Sequence, residues 1–448
     1  MKKILFLCLS FTMIWIMPKT FAKADTVIPT NGSIYESGTK LNKVDDEAEP
    51  EVWKIWEEFG FDTLEEYAAD LASKGIDLDE VYDGTEPVLY EDDFKTLEGY
   101  KEYLASKGIS YEETIQQEEE YQTKAASSEL TAKALYKAAL GETNHAIQSY
   151  YISGSQIYIC QHYEKYTFNK IRYTGNLILL SRCKLSNKTF TIQDSMLLTN
   201  VGHGQTLDMY TYGGKPYFLI SCGGQPATRA TDVWSTQIGR ITYSAGTVLD
   251  NSNIKRLTYL DYSHNGDKSF GVIKRVDAAL STDKKRLLIW KQNLNGDNQF
   301  SVYNFVAINQ QLSSNSSNTV SFQNNGVLKY ACKYVFNDPV DMPGSIQGLE
   351  LSNVANNMHS VYISSGNESK EKNKELIITR FNTNGDFKKK VKISDKGVWG
   401  LYDGSTETDV EAEIEGLKIA GSNLQFVLRD PRNPDQQVIA YVSKSKLE

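Results

Sequence analysis

Residues 345–366 read SIQGLELSNVANNMHSVYISSG, and residues 146–158 read AIQSYYISGSQIY. Each opens on Ile-Gln, runs through a short hydrophobic strand, turns on small polar residues and resumes with an aliphatic residue followed by Tyr. Recurrence over such a distance marks a fold assembled from copies of one unit.

From Lys133 onward, short runs rich in Val, Ile, Tyr and Phe alternate with Gly, Asn, Asp and Ser turns, which predicts an all-β domain. The opening motif recurs at Gln148, Gln205, Asp277, Gln347 and Glu415, each followed by a short strand. A second strand follows in each copy: QIYIC (156–160), PYFLIS (216–221), RLLIW (286–290), SVYIS (360–364) and LQFVL (424–428). Third strands are expected at 176–185, 238–246, 301–308, 375–382 and 437–444, and fourth strands at 191–199, 254–262, 327–335 and 389–397. The fifth copy runs out at Glu448 without a fourth strand, and LTAKALYKAAL (130–140), ahead of the first copy, is a spare one. Pairing the two ends closes a ring. The fold class expected is therefore mainly β, a five-bladed β-propeller over residues 126–448 with four-stranded blades around a channel. An open β-sandwich with accidental echoes is the alternative.

Charge divides the chain. Residues 25–124 carry 28 acidic against 8 basic side chains, and residues 125–448 carry 36 basic against 29 acidic, net charges of −20 and +7. The acidic region, 25–125, holds its own duplication at a period of 33: FDTLEEYAADLASKGI (61–76) and FKTLEGYKEYLASKGI (94–109). Apolar residues at helical spacing, a Thr63/Glu66 capping box and the stops at Gly75 and Gly108 predict two short helices. Such helices serve as solvated faces, as a tethered spacer or as a mask lying against the basic domain over residues 45–120. At the start, Lys2 and Lys3, an apolar run from Ile4 to Met17 and Ala22-Lys23-Ala24 predict a secretory signal peptide over residues 1–24. A run of that length falls short of the roughly 20 residues a spanning helix needs. A secreted, extracellular protein without a transmembrane segment after cleavage is expected.

Cys160, Cys183, Cys222 and Cys332 lack paired metal-ligand spacing and read as buried free thiols. No H-E-x-x-H, G-x-S-x-G, P-loop or dinucleotide fingerprint occurs, so no metal, cofactor or nucleic-acid partner is expected. Asn-Gly-Asp at Asn265, Asn295 and Asn384 reads as hairpin turns, because Asn-Gly supplies positive φ. Asp208, Asp277, Glu350 and Glu415 sit on or beside the anchor strands. Paired there, carboxylates serve a glycosidase as acid and as base or nucleophile. A repeated polar ring also serves turn hydrogen bonds or one shared ligand geometry.

TNVGHGQTLDMYTYGGKPYFLISCG (199–223), followed by the Gly239-Arg240-Ile241 strand, resembles the helveticin J family of secreted large, class III bacteriocins. The resemblance spans about residues 130–448, and the His203-Gly204-Gln205 turn is its most specific feature. It implies antagonism toward related bacteria and a target in the cell envelope. With the positive charge of residues 125–448, it points to an anionic cell-wall glycopolymer of Gram-positive bacteria as partner. Candidate ligand-binding residues are His203, Gln205, Gln148 and Gln347 as hydrogen-bonding groups, with Trp234 and Trp399 as sugar-stacking rings unless they pack between blades. The rival readings are a glycosidase on an extracellular polysaccharide, using Asp208, Asp277 and Glu350, and a non-toxic adhesion module.

Overall fold

The computed structural model describes residues 128–448, apart from 142–144, 225–233, 265, 267, 324, 340–344, 355–357, 367–374, 404–411 and 434, together with residues 101 and 105. The signal peptide expected over residues 1–24 lies outside the described residues, and so do the acidic duplication and the proposed 45–120 mask apart from Lys101 and Ala105, both of them helical. Asn265 also lies outside the described residues.

Two strands precede the first copy, β1 (Ser128–Thr131) and β2 (Lys133–Ala139). Unit one is β3 (Ile147–Ser153), β4 (Gln156–Phe168), β5 (Ile171–Ser186) and β6 (Thr189–Thr199). Unit two is β7 (Leu207–Tyr212), β8 (Lys215–Gly224), β9 (Ser235–Ile241), a short β10 (Val248–Asp250) and β11 (Lys255–Thr258). Unit three holds β12 (Ile273–Leu280), β13 (Arg286–Asn293) and β14 (Asn298–Asn304), then helix α1 (Phe305–Ser314), β15 (Thr319–Ser321), helix α2 (Gly326–Tyr330) and β16 (Cys332–Asn337). Unit four is β17 (Gly348–Leu351), β18 (Ser360–Ser365), β19 (Leu376–Asn382) and β20 (Phe387–Ser394), followed by helix α3 (Gly400–Asp403). Unit five is β21 (Glu413–Ala420), β22 (Asn423–Arg429) and β23 (Gln437–Ser443).

The protein is mainly β. Within each unit, successive strands of the main set pair antiparallel, and β2 pairs antiparallel with β23 through Lys133–Tyr441 and Lys137–Val438. The spare strand thus completes unit five from the front of the chain. On its other edge β2 pairs parallel with β6, joining units five and one into a single nine-stranded sheet.

Apolar clusters lie between successive units. Units one and two share Tyr158, Ile178, Phe218 and Ile220, and units two and three share Leu219, Ile238, Leu280 and Leu287. Units three and four share Leu288, Phe300, Leu349 and Ile363, and units four and five share Ile378, Val391, Phe426 and Val438. Ile157, Phe190, Val427 and Ile439 join unit five back to unit one. A sheet covered on both faces loses polar/apolar alternation, which is why β14, seven residues long, is buried throughout. The first strands also neighbour one another in cyclic order, β3 to β7, β12, β17, β21 and back to β3. Two of them approach closely. A Cβ on Gly348 of β17 would lie 2.6 Å from the backbone carbon of Gly416 in β21, so the pair needs glycine there.

Unit three departs from the expected strands. The run 301–308 is strand only to Asn304, whose side chain accepts from the N–H groups of Val306 (3.0 Å) and Ala307 and starts α1. Residues 327–330 belong to α2, capped by Asn325, whose side chain accepts from Leu328 N at 3.2 Å. Capping asparagines override the β pattern of the apolar residues that follow them. The Asn-Gly-Asp turns are hairpins at the two described sites. Asn293 Oδ1 accepts from the N–H groups of Asn295 and Asp297, and Asn382 Oδ1 repeats this with Asn384 and Asp386. Gly296 and Gly385 take positive φ, 95° and 82°. Cys160, Cys183 and Cys222 are buried free thiols and Cys332 is a half-buried one. Among the described residues no helix is long and apolar enough to cross a membrane.

Candidate functional site

The turn leading into β7 is the best-defined part of the site. Gly202 and Gly204 both hold positive φ, 95° and 79°, on either side of His203. A Cβ at Gly204 would sit 2.5 Å from Ile178 Cδ1, and the Gly204 carbonyl accepts from Ser149 Oγ at 2.6 Å. This turn therefore packs against β3 and β5 of unit one and fixes the direction of the His203 ring. That ring stacks on His162 (centroids 4.9 Å, 23°) and leans on Trp234 (4.7 Å, 41°). Beyond Trp234 comes the Arg275 guanidinium, 4.0 Å from the Trp234 centroid and 5.0 Å from that of Trp290. Histidine, tryptophan and arginine planes thus form one column from unit one to unit three. Burial holds His162 down to about 4, helped by His145, and holds His203 well below the ordinary range. Both imidazoles are neutral at neutral pH, as like rings in face contact require.

All five anchor side chains are buried: Gln148, Gln205, Asp277, Gln347 and Glu415. Three of them meet through Arg275. Gln205 Nε2 donates to Gln347 Oε1 at 2.8 Å, and Arg275 Nη2 donates to Gln205 Oε1 and, at 2.6 Å, to the Ile346 carbonyl. Arg275 Nε reaches Asp277 Oδ2 at 3.1 Å. Burial pushes the Asp277 carboxyl up, opposed by Arg275. Glu415 joins this set through a hydrogen bond with Gln205 and the attraction of Arg275, although its Oε2 is buried without a hydrogen-bond partner; Gln148, whose Oε1 is likewise without one, stands apart. Burial, reinforced by Glu413, raises the Glu415 carboxyl well above its usual range.

Asp208 and Glu350 belong to a second cluster, centred on Lys418. Lys418 Nζ lies 2.6 Å from Glu350 Oε1 and 3.2 Å from Asp208 Oδ1, and Lys284 adds a contact to Asp208 at 3.5 Å. Each carboxylate also accepts a backbone N–H from the next unit, Leu280 N on Asp208 (2.8 Å) and Ile419 N on Glu350 (3.1 Å). Burial pushes Asp208 up, but the two lysines and the Leu280 amide outweigh it and leave the carboxyl below its usual range. Glu350 stays raised, because burial and the Asp208 charge exceed the pull of Lys418. Asp208 and Glu350 are 1% and 3% exposed, and their oxygens tie first strands together across units. The structure separates Asp277 from this pair and gives it to Arg275.

Trp399 is placed in the core between units four and five, 1% exposed, with Nε1 donating to Asp395 Oδ2 at 2.9 Å. It has no free face for a sugar, and the expectation of a stacking ring at this position is corrected. Trp234 is half-buried within the column, between His203 and Arg275. Sequence reasoning missed Arg275, Trp290, His162 and Lys418. A local signal existed for Arg275, which precedes the Asp277 anchor by two residues and so shares its face of the strand. Among the described residues no group of three or more His, Cys, Asp or Glu is arranged to hold a metal ion.

The family model described as bacteriocin helveticin-J matches residues 125–431. Bacteriocin helveticin-J of Lactobacillus helveticus is 28% identical over 141 residues, a span covering 30% of this chain and 40% of that protein. The chain thus matches less than half the length of that relative. Among solved structures, a GH43 endo-arabinanase from Bacillus licheniformis is similar at 9% identity, covering 68% of this chain and 95% of its own, with a TM-score of 0.35. A β-1,2-mannobiose phosphorylase from Listeria innocua gives 8% identity, 68% and 90% coverage, and a TM-score of 0.35. Scores of this size carry no argument about architecture or activity.

Proposed function

The chain belongs to the bacteriocin helveticin-J family, and from that premise we propose that it is a secreted bacteriocin-like protein that binds an anionic cell-wall glycopolymer of Gram-positive bacteria. In this reading the five units are the blades of a β-propeller. The closed cycle of inter-unit cores and the β2–β23 pairing support that architecture. The ligand meets the end of the channel where the first strands begin.

One observation carries the binding reading: the column of His203, Trp234 and Arg275 sets an aromatic face and a cation side by side. An anionic substituent is drawn to the guanidinium, and the sugar that carries it packs against the exposed part of the half-buried indole. Gln205 and Gln347 lock to each other beneath the column and hold Arg275 in place. The surplus of basic over acidic residues in 125–448 raises the encounter rate with a polyanion, and salt weakens that effect. The test is sedimentation of the purified protein with cell walls that carry or lack teichoic acid. Binding confined to the polymer-bearing walls is expected; equal binding to both refutes the polymer. A Trp234→Ala variant is expected to lose wall binding while still unfolding cooperatively, at a temperature lowered by the lost packing on His203 and Arg275.

A glycosidase reading has one observation in its favour, the Asp208–Glu350 pair on Lys418 with carboxyls displaced in opposite directions. Release of reducing sugar from a polysaccharide panel, abolished in Asp208→Asn, would establish it. A killing assay on related Gram-positive cells separates a bacteriocin from a plain adhesion module.

A further inference from the structure

Beside the column lies a small cavity of ≈110 Å³, lined by Trp234, Lys274, Arg275, Trp290, Asn298 and Ser345, among others. Arg275 is 5% exposed, and its bonds are unevenly distributed. Nε and Nη2 are taken by Asp277, Gln205 and the Ile346 carbonyl. Nη1, at the opposite corner of the guanidinium, has no hydrogen-bond acceptor among the described residues. Next to it in the chain, exposed Lys274 has no ion-pair partner among the described residues. The neighbouring amide is already satisfied, since Asn298 Oδ1 accepts from Trp290 Nε1 at 3.1 Å and Asn298 Nδ2 donates to Asp338 at 3.0 Å. The nearby carboxylates are turned to other partners, Asp277 to the far edge of Arg275 and Asp338 to Asn298. Arg275 and Lys274 both line the cavity, and two cations side by side there with no facing carboxylate suit an oxyanion.

We infer that this cavity is a receptor for one phosphate group of a polyol- or sugar-phosphate polymer, held between Arg275 Nη1 and Lys274. Its volume suits a small guest group. A water occupies about 30 Å³, so the cavity holds the equivalent of roughly four. Ordinary ligand pockets run to roughly 300–1,000 Å³. A phosphate with its ester atoms fits, and the attached sugar or polyol stays outside, against Trp234. Two cations, a guanidinium fork and an ammonium point charge, suit the spread oxygens of a tetrahedral anion better than the flat edge of a carboxylate. The inference rests on the glycopolymer reading and gives that polymer its chemistry.

The test is titration calorimetry on the full mature chain with glycerol 3-phosphate, inorganic phosphate and glycerol. Both phosphates are expected to bind and glycerol to give no heat. Lys274 is exposed, so Lys274→Gln should fold normally and weaken glycerol 3-phosphate about fivefold at low salt. Arg275→Lys keeps the charge but loses the guanidinium corner, and is expected to weaken it further. Glycerol binding as tightly as its phosphate, or an unchanged phosphate affinity in both variants, overturns the receptor. Wall binding that depends on teichoic acid while neither phosphate binds overturns the receptor alone. Phosphate binding with walls bound equally, polymer or not, leaves the receptor standing and removes the polymer.

Discussion

Replacing Lys418 by methionine probes how the first strands are held together. The ammonium sits 2.6 Å from Glu350 and 3.2 Å from Asp208. At an effective dielectric constant of about 20, the gross attraction at those distances is about 6 and 5 kcal/mol. Taking the ions out of water cancels much of this, at several kcal/mol per ion. Methionine fills a similar volume, so the loss is electrostatic. Asp208 would keep its ion pair with Lys284 and the Leu280 N–H, whereas Glu350 would keep the Ile419 N–H and the more distant pull of Lys284. A buried carboxylate stripped of its cation costs about 3–5 kcal/mol. The size of the loss should depend on pH with a definite sign. Burial already holds the Glu350 carboxyl above its ordinary range, and losing Lys418 raises it further. A carboxyl raised in the folded state binds its proton more tightly there, so stability is kept below the ordinary glutamate range and lost as pH rises through the folded value. Lys418→Met should therefore be closer to the parent at pH 5 than at pH 8. Adding Glu350→Gln should recover about 1–3 kcal/mol at pH 8, because a neutral amide still accepts from Ile419 N. Urea unfolding followed by tryptophan fluorescence reads the differences, since Trp290 and Trp399 are both buried. A penalty under about 1 kcal/mol at pH 8, or a penalty equal at both pH values, would refute the reasoning.

Gly204→Ala should lower stability by about 1–3 kcal/mol, from its positive φ and the Ile178 clash, and a thermal melt would register it. His162 is neutral in the folded state and its ring is held down to about 4, so stability from this group is full above about 6.5 and lost as pH falls toward 4. His162→Phe should reduce the loss of stability between pH 6.5 and 4 by up to about 3 kcal/mol; an unchanged slope in urea midpoints would count against it. Trp399→Phe should cost about 1–3 kcal/mol by leaving Asp395 without its indole donor, while folded protein binds walls as the parent does. Loss of wall binding without loss of stability would contradict its placement in the core. Burial pushes the Cys160, Cys183 and Cys222 thiols up to about 12, so none should react with a thiol reagent until the protein is unfolded.

Much of the architecture was legible from residues 345–366 outward, because a strand and its turn are local. Gln347-Gly-Leu-Glu-Leu and its four counterparts mark the first strands, and the Asn-Gly turns mark hairpins through backbone preferences that need no distant partner. The spare strand at 130–140 could be counted, and the pairing of β2 with β23 follows from that count. Legibility ended where one side chain decided against the pattern around it. Asn304 and Asn325 turn apolar runs that alternate like strands into helices α1 and α2.

The sequence by itself determined the repeat, the mainly β fold class, the membership of the helveticin-J family and the set of polar anchors. Only the tertiary structure decided what those anchors do. Trp234 and Trp399 look alike in the chain, yet one is half-buried within a stacked column and the other is sealed between units four and five. Asp208, Asp277 and Glu350 look like one ring, yet Lys418 gathers two of them and Arg275 takes the third. The reason is physical. Strand and turn preferences depend on neighbours in sequence, whereas burial, ion pairing and the free corner of Arg275 depend on which unit packs against which.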